Sequence, residues 1–105
     1  MIDSLQQQIK GEKGLIAYFY SDKCAPCISL RPKVSQMVDE HFPEMKLVFI
    51  NSEKQPEITG YFGVFANPAI IVFFEGKEFR RYSKYISINE LGGDIERVYK
   101  MVFEG

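Results

Sequence analysis

Apolar residues in this chain follow two patterns: unbroken runs of strand length, and stretches spaced at three and four. Leu15-Ile-Ala-Tyr-Phe-Tyr20 and Ala69-Ile-Ile-Val-Phe-Phe74 are unbroken, as expected of strands buried on both faces, where neither side presents polar groups to water. Lys46-Leu-Val-Phe-Ile50 reads as a further strand. Lys77 to Tyr82 alternates polar with aromatic residues, which suits an edge strand, and Glu75-Gly76 reads as the tight hairpin turn leading into it. Helical spacing links Ile2, Leu5 and Ile9 ahead of Gly11 and Gly14, predicting a short opening helix closed by glycine. From Ala25 to about Phe42 the apolar positions Ile28, Leu30, Val34, Met37, Val38 and Phe42 predict an amphipathic helix, kinked at Pro32 and ended by Pro43. Pro56 to Phe62 reads as a short helix. Ser87-Ile-Asn-Glu90 has the form of a capping box, and Leu91, Ile95, Val98 and Val102 continue it as a closing helix. Gly92 and Gly93 each weaken that helix by about 1 kcal/mol relative to alanine, so its first turns should be its softest.

The order strand, helix, strand implies a right-handed parallel unit, and the hairpin adds antiparallel strands to it. The 105 residues, 46% hydrophobic and 14% aromatic, suffice for one core and predict one α/β domain over residues 1–105. No internal repeat, low-complexity tract or linker interrupts them. Thirteen Lys and Arg face fourteen Asp and Glu, so no long-range field favours nucleic acid or an anionic membrane as partner. The longest apolar runs fall far below the roughly 20 residues of a membrane span, and Met1 to Lys10 lacks the apolar core of a signal peptide. The chain therefore reads as soluble and cytoplasmic. Two cysteines close together do not make a stapled secreted scaffold, and a structural disulfide would not persist in a reducing compartment.

Chemistry is then the better use for Cys24-Ala-Pro-Cys27. Its place between a buried strand and a helix puts the first sulfur near free N–H groups and the positive end of the helix dipole, which favours an anion. Pro26 fits the first helical turn without losing a hydrogen bond, and three-residue spacing brings the two cysteines within disulfide reach. Lys23 adds a positive charge that further favours the thiolate. In this reading Cys24 attacks and Cys27, one turn deeper, resolves the mixed disulfide. Two buried structural thiols, or half of a metal site shared between two chains, are the alternatives. Within one chain only His41 could join the pair, and it lies at the far end of the helix, so no metal is expected.

With these residues in place, the chain resembles the thioredoxin family from Leu15 onward. The resemblance rests on the cysteine pair, Pro32 five residues after Cys27, Tyr61-Phe-Gly-Val64 leading to Asn67-Pro68, and the Glu75-Gly-Lys-Glu78 hairpin before a closing helix. It implies a thioredoxin-like fold with a mixed four-stranded sheet in the order 2-1-3-4, flanked by helices and lacking the family's first edge strand. It also implies a cis bond before Pro68 and a substrate groove walled by Ala66, Asn67 and Pro68, with the backbone of Asn67 pairing with an extended substrate segment. From the residues alone, Asn67 could equally be a plain turn residue and Pro68 the start of a strand.

Several positions depart from the family's pattern. Lys23 stands for the usual tryptophan, Ala25 for the usual glycine between the cysteines, and Tyr18 for the usual buried acid. Phe49 stands for a lysine close to that acid, and Lys84 for a groove glycine. The expected function is a thiol-disulfide oxidoreductase that reduces protein or small-molecule disulfides through a Cys24-Cys27 cycle. Its redox group would be the disulfide itself, with no other cofactor, and its partners a disulfide substrate and an electron donor such as a reductase. A monomer is expected. The alternative is a non-catalytic binding module or redox switch of the same fold.

Overall fold

In the computed structural model, which describes residues 2–104, eight regular elements follow one another. They are α1 (Ile2–Gly11), β1 (Gly14–Tyr20), α2 (Ala25–His41), β2 (Lys46–Asn51), α3 (Pro56–Tyr61), β3 (Ala69–Phe74), β4 (Lys77–Ser83) and α4 (Ile88–Tyr99). Met1 and Gly105, the ends of the expected 1–105 span, lie outside the described residues. The strands form one mixed sheet in the order β2-β1-β3-β4, as expected. β1 runs parallel to β2 and antiparallel to β3, and β3 is antiparallel to β4.

The unbroken apolar runs are explained by cover on both faces of the sheet. Alternate residues of β1 and β3 diverge: Ile16, Tyr18, Ile70, Val72 and Phe74 pack toward α2 and α4, while Leu15, Ala17, Phe19, Ile71 and Phe73 pack toward α1 and α3. Because side chains alternate along a strand, a run with helices on both sides has no solvent-facing position left for a polar residue. β4 keeps its aromatics on one side by a bulge. Val72 pairs with Arg80 but Phe73 pairs with Glu78, so the extra residue lets Phe79 and Tyr82, three apart, both reach the α4 side. The hairpin turn places Glu75 at φ 51 and Gly76 at φ 82, the pair of left-handed conformations that a two-residue turn needs to match strand twist.

Two expectations are corrected. Ile28 belongs to the apolar spacing of α2 but is 66% exposed, because at the cysteine end of the helix it borders the open cleft beside Cys27 and not the packed core. The closing helix does not run regularly to Val102. Its α-helical part ends at Tyr99, and Lys100–Glu104 continue as a π-helix. The capping box is present in its forward half, with the Glu90 N–H donating to Ser87 Oγ at 3.2 Å.

The paired glycines of α4 differ in surroundings. A Cβ on Gly92 would meet Met37 Sδ of α2 at 3.2 Å, whereas one on Gly93 would meet nothing within 4 Å. Gly92 thus permits the close approach of α4 to α2, and Gly93 does not take part in it. Gly93→Ala should raise stability by about 1 kcal/mol through helix propensity. Gly92→Ala should gain less or lose, because Met37 must shift within a packed site. Urea unfolding midpoints of the two variants check the difference; equal gains would sink it.

Candidate active site

The C-terminal ends of β1 and β2 and the first residue of β3 lie side by side, since Phe19 pairs with both Ile50 and Ala69. The loops leaving this end of the sheet carry the cysteines, Asn67-Pro68 and Lys84. Cys24 caps α2 with an extended backbone, φ −95 and ψ 102, and its Sγ accepts the Cys27 N–H at 3.2 Å. One orphan donor of the helix N-terminus is therefore spent on sulfur. Cys24 and Cys27 are disulfide-bonded, with Cα atoms 5.3 Å apart. Cys24 is half-buried, while Cys27 is only 2% exposed. Pro26 stands in the first turn of α2, where its missing N–H is not needed.

The loop before Cys24 is braced by polar bonds. The Cys24 N–H donates to Ser21 O at 3.1 Å, Ser21 Oγ donates to Glu53 Oε1 at 2.7 Å, and the Lys23 N–H donates to Ser21 Oγ at 3.2 Å. Asn51 Nδ2 holds Asp22 Oδ2 at 3.2 Å. Lys23 points its ammonium outward. Its side chain is 87% exposed, with Glu53 Oε2 at 3.9 Å, so hydration and pairing leave it little field at Cys24.

The bond between Asn67 and Pro68 is cis. Pro68 is buried, Ala66 and Asn67 are half-buried, and Asn67 Oδ1 accepts from Ser52 Oγ at 2.9 Å. Among the described residues, neither Ala66 nor Asn67 enters a backbone-backbone hydrogen bond outside the regular elements, which leaves their peptide groups open to an extended partner. Pro68 O accepts the Lys84 N–H at 2.9 Å. Lys84 has φ 62, the left-handed region in which glycine is at ease and other residues are strained. This is the position at which the resemblance leads one to expect glycine.

Beneath the cysteines, Tyr18 is fully buried and its hydroxyl donates to Cys27 O at 2.8 Å. Burial raises its pKa above the ordinary tyrosine value, and the charge of Arg31 offsets part of that rise. Tyr18 therefore stays a protonated donor through neutral pH. Phe49 pairs with it in register and meets its ring edge-on at 5.6 Å. An aromatic pair thus occupies the site where the resemblance implies an acid and a lysine.

Three residues escaped the sequence reading, Phe65, Tyr85 and Arg31, and a fourth, Ile28, was read only as part of a helical stripe. Phe65 is 92% and Tyr85 98% exposed, one just before Ala66 and the other just after Lys84, and Ile28, 66% exposed, lines the cleft beside Cys27. Aromatic residues in loops that border turn signals were the available clue. Arg31 lies one turn after Cys27 and was hidden in an ordinary helical pattern. His41 is exposed at the far end of α2, and among the described residues no three His, Cys, Asp or Glu groups gather as metal ligands. No helix among them is long and apolar enough to cross a membrane.

The Thioredoxin family model matches residues 2–97. The thioredoxin-like protein YdfQ of Bacillus subtilis is 31% identical over 102 residues, covering 97% of this chain and 89% of the relative. Among solved structures, Fasciola hepatica thioredoxin superposes with a TM-score of 0.78 at 26% identity, covering 90% of this chain and 88% of that one. Thioredoxin 1 of Thermosipho africanus superposes with a TM-score of 0.76, also at 26% identity, covering 83% and 96%.

Proposed function

Because the chain belongs to the thioredoxin family, we propose that it reduces disulfides in protein or small-molecule substrates through a Cys24-Cys27 dithiol/disulfide cycle. A thiol-disulfide oxidoreductase role is supported by the family and by the bonded cysteine pair. The division of labour rests on one observation: Cys24 caps the N-terminus of α2 with its sulfur accepting an N–H, and Cys27 is buried behind it. The reduced Cys24 attacks a substrate disulfide as a thiolate, stabilised by that N–H and the helix dipole. Cys27 then attacks Cys24 Sγ, the substrate leaves as a dithiol, and two electrons have passed to it from the cysteines.

An extended substrate segment pairs with the open peptide groups of Ala66 and Asn67 beside Pro68, while Phe65, Tyr85 and Ile28 supply apolar contact. The disulfide is the redox group, and no further cofactor takes part. A dithiol-delivering reductase in a reducing, cytoplasmic compartment restores the cysteines. The reducing direction follows from the residues between the cysteines, Ala25 and Pro26, neither of which adds charge to hold a thiolate. A binding module remains the second reading, since the exposed aromatics at 92% and 98% form a contact surface that needs no chemistry.

Alkylation of the reduced protein by iodoacetamide separates the two. Cys24 should react with a midpoint below the roughly 8.5 of free cysteine, and well ahead of the buried Cys27. A redox titration should place the couple near the thioredoxin value of about −270 mV; one near −120 mV would reverse the direction. Cys24 reacting only as an ordinary thiol, with no reversible couple, would leave the binding module.

A further inference from the structure

A narrow cleft lined by Tyr20, Ser21, Asp22, Cys27, Ile28 and Arg31 opens beside the buried cysteine. Arg31 follows Cys27 by four residues, so the two share one face of α2. Its guanidinium is held over two rings, 4.9 Å from the centre of Tyr20 and 4.3 Å from that of Phe49. Arg31 is exposed overall, but stacking against two rings restricts where its charge sits, as hydration alone does not for Lys23. Among the described residues no carboxylate forms an ion pair with it. The same charge acts on the Tyr18 hydroxyl, which is bonded to the Cys27 carbonyl.

The other groups around Cys27 do not offer this. Tyr18, held as a protonated donor, and Tyr20 come from β1, and β2 and β3 present Phe49 and Ile70 beside Tyr18. In the loop before α2, Asp22 is tied to Asn51 and Lys23 turns outward toward Glu53. Cys24 is the bonded partner, and Lys84 lies beyond Pro68, joined to it through its backbone. We infer that Arg31 stabilises the Cys27 thiolate during resolution, supplying by fixed positive charge what a buried carboxylate would supply by taking the proton. The inference rests on the two-thiol cycle proposed above. In that step the Cys27 proton passes to water in the cleft and Cys27 Sγ forms the bond to Cys24 Sγ. The bond from Cys24 to the substrate sulfur breaks, and its electron pair leaves on that sulfur as a thiolate. Arg31 touches none of these sulfurs as they react; it acts through space.

Stopped-flow reaction of the reduced protein with the neutral probe 4,4′-dithiodipyridine tests this. A first release of thiopyridone reports attack by Cys24 and scales with probe concentration; a second, independent of it, reports resolution by Cys27. Arg31→Met should slow the second phase about three- to tenfold at pH 7, with the gap closing as pH rises through the ordinary thiol range of about 8.5. Arg31→Lys should keep most of the parent rate. A merely structural Arg31 would instead give equal slowing at every pH, or a lysine variant as slow as the methionine one, and either result overturns the inference. So does an Asp22→Asn variant as slow as Arg31→Met, since Asp22 would then be the proton acceptor. A parent that releases no second equivalent overturns the two-thiol cycle itself, a failure distinct from that of Arg31.

Discussion

Cys27→Ser should turn Cys24 into a trap. Reduced and mixed with a disulfide-bonded peptide, nearly every chain of this variant should end joined to substrate through Cys24, because the thiol that would release it is gone. Cys24→Ser should trap almost nothing, since the remaining sulfur is only 2% exposed and lacks the free N–H groups that favour a thiolate at the start of α2. Intact mass and non-reducing electrophoresis read the two outcomes directly. Cys27→Ser also places a hydroxyl where a thiol is packed, at a cost of about 1–3 kcal/mol against the reduced parent, so trapping is measured well below its melting midpoint. Equal trapping by both variants contradicts the assigned roles.

Tyr18→Asp should have opposite effects on stability and on rate. The tyrosine is fully buried, packs edge-on against Phe49 and donates its hydroxyl to Cys27 O. Replacing it leaves a cavity and a buried carboxyl, and the loss should be about 3–5 kcal/mol. Resolution should nevertheless quicken by about 10²-fold at neutral pH if the carboxylate reaches Cys27 through water, the lower end of what general base assistance supplies. In the parent, resolution should accelerate as pH rises, because the raised pKa of Tyr18 keeps it from accepting the thiol proton, so the Cys27 thiolate forms only by losing that proton to water. Tyr18→Phe separates the two effects. It removes only the hydroxyl, should cost about 1 kcal/mol, and should leave the pH dependence of resolution as it is. Single-turnover release of thiol from a Cys24 mixed disulfide across about pH 6 to 9 is the measurement, flanking the cysteine reference value. A parent that already resolves fast with no pH dependence would show that another base serves Cys27.

The elements were legible because each carried its own signal. β3 could be read to its ends, Ala69 and Phe74, because six apolar residues stand between Pro68 and the Glu75-Gly76 turn. The start of α2 followed from Cys24 as cap and Pro26 in the first turn. The end of α4 was not legible: apolar spacing continues through Val102 while the backbone widens to a π-helix at Lys100, and side-chain periodicity alone does not register which carbonyl each N–H chooses. Ile28 misled for a related reason. A helical stripe says which residues share a face, not how far along the helix its partner extends.

The sequence by itself determined a great deal here: the strand and helix order, burial of β1 and β3 on both faces, the pairing-competent Cys24 and Cys27, and the family resemblance that points to the cis bond before Pro68. All of these depend on neighbours within a few residues or on a motif of fixed spacing. Tertiary structure alone decided what surrounds the buried sulfur. Tyr18 meets Cys27 O across 9 residues of chain, and Arg31 comes to rest on Tyr20 and Phe49 from two different strands. It also turned Lys23 toward Glu53 and brought Met37 against Gly92. Such contacts arise where separately predictable elements are packed together, and the field at a thiol depends on the distances that packing sets.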